Sequence, residues 1–398
     1  MENLKILFIS DSSRLNPILQ SQGLPLLEHL AQKDFNCSFV SFEQDRNKTS
    51  KSNANRDKNY QNLINFYQVN LKSNKYIPKW LLYYLKGFYK ILIIILKEKN
   101  NILHARSLPP AIIACFIKLF LFPRINLIYD NRGVFIDEMI LTGQWKPKGI
   151  KVKIFRFLEK LVLQNVEQVV VVSEYFKKFL INNFENTIRD IESKIIVIPN
   201  RTFIKFNSNE EVLSKKDHEE IICIYSGSAA PWQNVPKLKI FIESSLQSNP
   251  RLNIRIFTYE KRIFEKNLGE VINSKRFLID KIEPKEIYNN LIHANFGLLI
   301  RENNLVNNVS SPLKFGEYLA AGLPVIISEG IGDTEKIVNT FKVGVVIKNN
   351  DFQSALNNMI DLLNDEDIYS RCLMLARKSF DIKSSFEQYF SIYKKLSF

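Results

Sequence analysis

The chain reads as an α/β protein made of two tandem, doubly wound Rossmann-like domains. Three observations carry that reading. Short runs rich in Val, Ile, Leu and Phe alternate with helical patterns along nearly all of the 398 residues, the signature of a parallel sheet covered by helices on both faces. The alternation stops once, in the polar and charged stretch 207–220, and then restarts. The length is also about twice that of a typical domain of ~100–200 residues.

In the first half, strands are expected at 5–10, 37–42, 66–69, 102–105, 127–130 and 168–172, with another near 195–199. Helices at 25–33, 78–97, 109–120, 151–164 and 174–182 fit between most of them. Residues 43–62 are almost wholly polar and read as a loop. In the second half, strands are expected at 221–225, 252–257, 277–279, 296–300, 324–327 and 344–347, and helices near 351–363, 366–380 and 385–396 close the chain. The expected layout is an N-terminal domain at 1–206, a linker at 207–220 and a C-terminal domain at 221–380. A helix at 381–398 then crosses back to pack on the first domain. Two such domains are expected to face each other across a cleft, with ligands at the carboxyl ends of the strands.

With 45% hydrophobic and 24% charged residues, the composition excludes a disordered chain, a collagen-like chain and a small disulfide scaffold. Cys37, Cys115, Cys223 and Cys372 are widely spaced within apolar stretches and read as buried thiols of a reducing compartment. The N-terminal apolar run is too short for a signal peptide, and no run approaches the ~20 apolar residues of a membrane span. The net charge of +14 calls for an anionic partner: nucleic acid, an acidic membrane surface or a phosphorylated ligand.

Most of that charge sits between Lys75 and Lys160, with 16 basic and 5 acidic residues. Within it Lys79, Lys86, Lys90 and Lys97 fall within about 40° of one another on a helix. The rest of that helix is apolar and aromatic. It suits either an anionic bilayer interface or a packing helix whose few exposed positions are lysines. A second basic stretch, Lys146, Lys148, Lys151, Lys153, Arg156 and Lys160, favours the membrane. No zinc-finger, RNP-type or helix-turn-helix pattern supports nucleic acid.

The most informative segment is the buried strand 296–300, Arg301 at its exit, a polar loop, and the helix and strand of 311–327. Ser311 is placed to cap the helix, Pro312 suits its first position and Gly322 its end. Lys314 in the first turn opposes the helix dipole, which a bound anion would relieve. Glu317, one turn on, shares its face. Arg301, Lys314, Glu317 and the helix start together suit a nucleotide diphosphate. The alternative is a surface pair with a solvated arginine.

The block Ser311-Pro312-x-Lys314-x-x-Glu317-Tyr318-Leu319-Ala320-x-Gly322-x-Pro324-Val325-Ile326, followed by Gly330-Ile331-Gly332-Asp333-x-Glu335, resembles the donor-binding signature of retaining GT-B glycosyltransferases of family 4. The resemblance implies that Glu317 binds the ribose, that Arg301 and Lys314 steady the diphosphate, and that Ser311, Pro312 and Leu313 line the donor. The family's earlier Glu, eight positions before, is Val309 here. The loop Ser226-Gly227-Ser228 resembles the family's glycine loop but lacks its basic residue, and Gly23 lies in a segment that approaches the donor phosphate in the family.

In the first domain, Asp130-Asn131-Arg132-Gly133-x-x-x-Asp137-Glu138 follows a buried strand and resembles a motif of a bacterial subset of these enzymes. It implies Asp130 and Arg132 at the reaction centre and Asp137 and Glu138 on the acceptor side. His104 and Arg106, ending the previous strand, also fit the acceptor side. A structural salt-bridge cluster is the competing reading of this block. No metal and no cofactor are expected: Asp365-Glu366-Asp367 reads as an acidic helix start rather than a metal motif.

The resemblance implies metal-independent, retaining hexosyl transfer from a nucleotide sugar to a lipid-linked or glycan acceptor, in capsule, lipopolysaccharide or glycolipid assembly. The expected site of action is cytoplasmic, peripheral on the inner face of the plasma membrane. Rival readings are a nucleotide-sugar epimerase of the same fold and a non-catalytic basic binding protein.

Overall fold

The computed structural model describes residues 4–43, 63–71, 78–203 and 219–396. Most of the expected polar loop (44–62) and linker (207–218) lies outside the described residues. The chain divides into two compact units, Met1–Pro199 with Lys383–Phe398, and Asn200–Ile382.

The first unit holds a seven-stranded sheet in the order β3-β2-β1-β4-β5-β6-β7. Its strands are β1 (Lys5–Ser10), β2 (Asn36–Glu43), β3 (Ile64–Asn70), β4 (Ile102–Arg106), β5 (Asn126–Asn131), β6 (Gln168–Val171) and β7 (Ile195–Val197). Every neighbouring pair is parallel. Parallel strands need helical crossovers, and these bury both faces: Ile6, Leu7, Phe8 and Ile9 of β1 are all 0% exposed. The crossovers include α1 (Leu24–Ala31), α2 (Lys79–Glu98), α3 (Leu108–Phe120), α4 (Phe135–Leu141), α5 (Ile150–Asn165), α6 (Glu174–Phe184) and the short α7 (Ile191–Lys194). Gly87 lets α2 approach α3 and β2, since a Cβ there would lie 2.7 Å from Ile113 Cδ1 and 2.8 Å from Phe42 Cζ.

The second unit holds a six-stranded sheet in the order β10-β9-β8-β11-β12-β13. Its strands are β8 (Ile221–Ser226), β9 (Leu252–Phe257), β10 (Phe277–Asp280), β11 (Phe296–Leu299), β12 (Val325–Ser328) and β13 (Gly344–Ile347). Here too every pair is parallel. Around them run α8 (Val235–Ser248), α9 (Lys261–Leu268), α10 (Pro284–Leu291), α11 (Leu305–Asn308), α12 (Leu313–Ala320), α13 (Thr334–Phe341), α14 (Phe352–Leu363) and α15 (Ile368–Ser379). Phe241, Phe264 and Met359 anchor one core, and Phe315, Tyr318 and Cys372 the other.

Every expected strand has a counterpart with ends within two residues. The last helix, α16 (Ile382–Lys395), returns to the first unit as expected. There Phe386 packs on His29, Tyr393 on Phe35, and Asn126 Nδ2 donates to the Leu396 carbonyl at 2.7 Å. All four cysteines are buried and free.

Three local features differ from or add to the expected layout. Gly23 ends a π-type turn, Leu19–Gly23, that runs straight into α1. Residues after β5 that the sequence left without an element form the helix α4. The helix of the donor motif starts one residue late, with Pro312 as its cap residue.

Candidate active site

In each sheet the strand order reverses once, between β1 and β4 and between β8 and β11. Loops leaving the carboxyl ends of such strands diverge and open a site for ligands. Both places carry clusters of ionisable side chains.

In the second unit, β8 ends at Ser226, whose amide donates to the Tyr318 hydroxyl at 3.0 Å. The chain then turns at Gly227, φ +150°, where a Cβ would stand 2.5 Å from Lys314 Cε. A side chain there would displace the lysine, so the glycine makes room for it. Lys314, in the first turn of α12, sets its Nζ 3.9 Å from the Tyr225 ring centroid and donates to Gln233 Oε1 at 3.3 Å. Arg301, leaving β11, donates from Nε to that same oxygen at 3.1 Å and from Nη1 to Asn307 Oδ1 at 3.3 Å. Its own amide donates to Ser328 Oγ at 2.8 Å, and Arg301 is 6% exposed.

The two cations therefore converge on one neutral oxygen, and among the described residues neither makes an ion pair. Burial lowers the Arg301 guanidinium to about 10. Burial, then the charge of Arg301, pushes the Lys314 ammonium well down, against the pull of Glu317. Burial raises the Glu317 carboxyl, with Lys314 opposing. An anion arriving here would favour the charged forms of both groups.

Ser311 does not cap α12. Its hydroxyl instead accepts the Asn200 amide at 3.1 Å, and its carbonyl accepts Asn200 Nδ2 at 2.8 Å. With no side chain capping the helix, the amides of Leu313 and Lys314 stay available at its positive end. Val309, where the family carries a carboxylate, is 0% exposed in the core. Gln233, Asn307, Tyr225 and Tyr318 complete the site and were not singled out from the sequence. Asp365, Glu366 and Asp367 precede α15 instead of forming its first turn: Asp365 pairs with Arg371, and Asp367 stands at the cap position without a side-chain cap bond.

In the first unit, Asp130 at the end of β5 is the hub. Arg132 Nε lies 2.7 Å from its Oδ1, and His104 Nε2 and Arg106 Nη1 lie 3.3 and 3.5 Å from its Oδ2. The returning helix α16 completes the network: the Tyr389 hydroxyl donates to Asp130 Oδ1 at 3.2 Å and accepts from Arg132, while the Tyr393 hydroxyl meets His104 Nδ1. Burial alone would raise the Asp130 carboxyl, but Arg132, then His104 and Arg106, hold it well below the usual carboxylate range. Burial lowers His104, keeping it neutral. Both His104 and Asp130 are 0% exposed. They orient the two arginines and have no surface of their own to offer a ligand.

Close by, the chain is polar and less deeply buried. Ser107, just after β4, is held at φ +79°, a conformation that costs ~1–3 kcal/mol and clusters at functional sites. Burial raises the Asp11 carboxyl after β1. Burial, then Asp11 and Asp137, raises Glu138 to about 7. Gly133 clears space for the Glu138 carboxylate, which its Cβ would strike.

Two expected residues have other duties. Asp137 is tied to Arg156 through both of its oxygens at 2.7 Å. Gly23 is buried, its missing side chain replaced by Leu19 and Phe8, and its neighbour Gln22 accepts Arg106 Nη2 at 3.2 Å instead.

The lysine stripe is also turned differently. Lys86 donates to the Asn70 carbonyl at 3.0 Å, and Lys90 and Lys97 lie over the Tyr67 ring at 5.6 and 5.4 Å. The stripe thus flanks β3, and the outward face of α2 is Leu85, Tyr89, Ile93 and Leu96, with Lys79 and Trp80 at its start. A helix that is apolar around most of its circumference can be set down with either flank inward.

Comparison with known proteins agrees with this geometry. Residues 241–383 match the family model described as Glucosyltransferase 3-like, C-terminal domain. No curated protein matches the chain. Among solved structures, a sucrose-phosphate synthase from Thermosynechococcus elongatus superposes with a TM-score of 0.71 at 15% identity, covering 99% of each chain. Anabaena HepE in complex with UDP-glucose gives 0.68 at 14% identity, covering 98% of this chain and 100% of that one. WaaG, a glycosyltransferase involved in lipopolysaccharide biosynthesis, gives 0.66 at 12%, covering 98% and 99%. The chain has the GT-B fold of these glycosyltransferases, as the donor motif implied.

Proposed function

We propose that the protein transfers a sugar from a nucleotide-diphosphate sugar to a lipid-linked or glycan acceptor in the assembly of a surface polysaccharide or glycolipid. One observation carries the reading: Arg301 and Lys314, both drawn out of water, share Gln233 Oε1, and among the described residues neither has a carboxylate at ion-pair distance. Two cations are held this way at a cost unless an anion completes the site. The diphosphate fits between them and the free amides of α12, with Glu317 on the ribose hydroxyls. The GT-B fold and the Glucosyltransferase 3-like match over 241–383 support the choice of a nucleotide sugar.

In the reaction the bond between the anomeric carbon and the diphosphate oxygen breaks, and a bond to the acceptor oxygen forms. Positive charge builds on the sugar and negative charge on the departing diphosphate. Arg301, Lys314 and the helix start stabilise the latter; one such preorganised donor is worth ~2.7–4 kcal/mol in comparable sites. The acceptor hydroxyl gives up its proton as it attacks, and in a retaining reaction the departing phosphate oxygen is placed to take it. Asp11, Glu138, Arg106 and Arg132 are assigned to the acceptor, with Asp130 and His104 positioning the arginines. No metal or cofactor enters this scheme. Four buried free thiols suit action in the cytoplasm.

A panel of UDP, GDP, ADP and dTDP with their sugars, read by thermal unfolding, tests the assignment. One nucleotide at 100 times its Kd adds ~2.7 kcal/mol of stability. Lys314→Ala and Glu317→Ala should each remove most of that shift. A full shift in both variants places the donor elsewhere.

A further inference from the structure

Between α2, α3 and α5 of the first unit lies a cavity of about 440 Å³ lined by Trp80, Tyr84, Phe88, Phe116, Phe120 and Ile154, among others, with no polar surface in its lining. That is within the ~300–1,000 Å³ of sites that hold a ligand. We propose that this slot takes the hydrocarbon chain of an anionic lipid drawn from a bilayer, holding a lipid-borne acceptor at the protein. The inference rests on the glycosyltransferase reading and names the kind of acceptor.

The lining decides the chemistry. A peptide inserted here would leave its amides without hydrogen-bond partners, whereas a hydrocarbon has none to satisfy. The slot also opens onto an apolar surface rather than onto water-seeking side chains. Phe120 is 72% exposed, Ile150 71% and Phe157 66%, and the outward face of α2 continues the patch through Leu85, Tyr89 and Leu96. Contiguous apolar surface of this kind marks an interaction site.

Charge selects the lipid. Lys79 next to Trp80, and Lys146, Lys148, Lys151 and Lys153 around Ile150 and Ile154, are all exposed. The acidic residues of the same segments do not oppose them: Glu159 is buried, Asp137 is taken by Arg156, and Glu98 by Tyr67 and Lys97. Lysines that make no ion pair among the described residues, set around an apolar patch, match an anionic leaflet, each near the surface adding ~1 kcal/mol.

The slot lies on the side of the first unit that carries the acceptor candidates. Tyr84 and Phe155 line it, and Phe155 lies 6.3 Å from Tyr84 and 6.2 Å from Phe135, which follows the Arg132-Gly133 turn.

The test uses the full chain with phosphatidylcholine vesicles, with and without phosphatidylglycerol, and with acyl chains brominated to quench tryptophan. Binding should need phosphatidylglycerol, and Trp80→Phe should remove most of the quenching. Phe120→Asp and Ile154→Asp, both at exposed positions, should weaken binding at least 10-fold without changing the thermal shift by nucleotide. The proposal is overturned if wild-type fluorescence is not quenched, or if these two variants bind as wild type while Lys151→Glu with Lys153→Glu abolishes binding. It is equally overturned if Phe120→Asp abolishes a concentration-dependent dimer and no vesicle binding is seen. Absence of any nucleotide shift, with slot-dependent quenching intact, would sink the donor assignment and still support the slot.

Discussion

Replacing Gln233 by Glu puts a charge where two cations already converge. The side chain keeps its shape, and its Oε1 stands 3.1 Å from Arg301 Nε and 3.3 Å from Lys314 Nζ. At an effective dielectric of ~20, a carboxylate there gains about 5 kcal/mol from each cation. Against this, removing it from water at a residue 6% exposed costs several kcal/mol. Keeping Lys314 charged, when burial pushes its ammonium well down, takes several kcal/mol more. About 10 kcal/mol of attraction less about 7–9 of combined cost leaves a net stabilisation of about 1–3 kcal/mol in the ligand-free protein. At ~2–4 °C per kcal/mol for a domain of this size, unfolding should move up by about 2–12 °C. The same charge occupies the place proposed for the diphosphate, so nucleotide affinity should fall about 100-fold, or ~2.7 kcal/mol. Thermal unfolding without ligand and calorimetric titration with nucleotide read the two effects, which have opposite signs. A variant that is destabilised and binds nucleotide as wild type would refute the charge argument.

Glu138 and Tyr389 give further tests. Burial raises the Glu138 carboxyl from 4.5 to about 7, so its charged form opposes folding; the opposition is absent below about pH 4.5, grows as pH rises and is complete above about pH 7. Glu138→Gln should therefore match wild type in acid and exceed it by about 2–3 kcal/mol at pH 8, measured by urea unfolding across pH; equal stability at pH 8 would show the carboxyl is not buried. Tyr389→Phe removes a hydroxyl that donates to Asp130 and accepts from Arg132, and should cost ~1–3 kcal/mol in the same assay. An unchanged urea midpoint would mean that α16 does not support the Asp130 network.

The sheets were legible because buried parallel strands are short, nearly continuous apolar runs, and few other structures are. Arg301, Lys314, Glu317 and Gly227 were legible because a strand end, a helix start and a glycine turn are local features. Their partners were not. Gln233 is 68 residues from Arg301 and 81 from Lys314, a neutral amide with no periodicity to mark it. Tyr393 is 289 residues from His104 and Tyr389 is 259 from Asp130, on a helix whose own pattern says only that one face is buried. The lysines of α2 show the same limit from the other side. Their spacing fixed an arc, but only packing against Tyr67 and Asn70 decided which way that arc pointed.

Counter-charges separate the two basic clusters more sharply than motif or position does. Arg106 and Arg132 share Asp130, a carboxylate held ionised by them, and two tyrosine hydroxyls of a returning helix fasten the group. Removing Asp130 leaves two buried guanidinium groups without their shared carboxylate, which is the behaviour of a scaffold. Among the described residues, Arg301 and Lys314 have no carboxylate at ion-pair distance and share a single amide oxygen. Burying such a pair is costly until an anion completes it, and the diphosphate of the proposed donor would bring the two negative charges that do so.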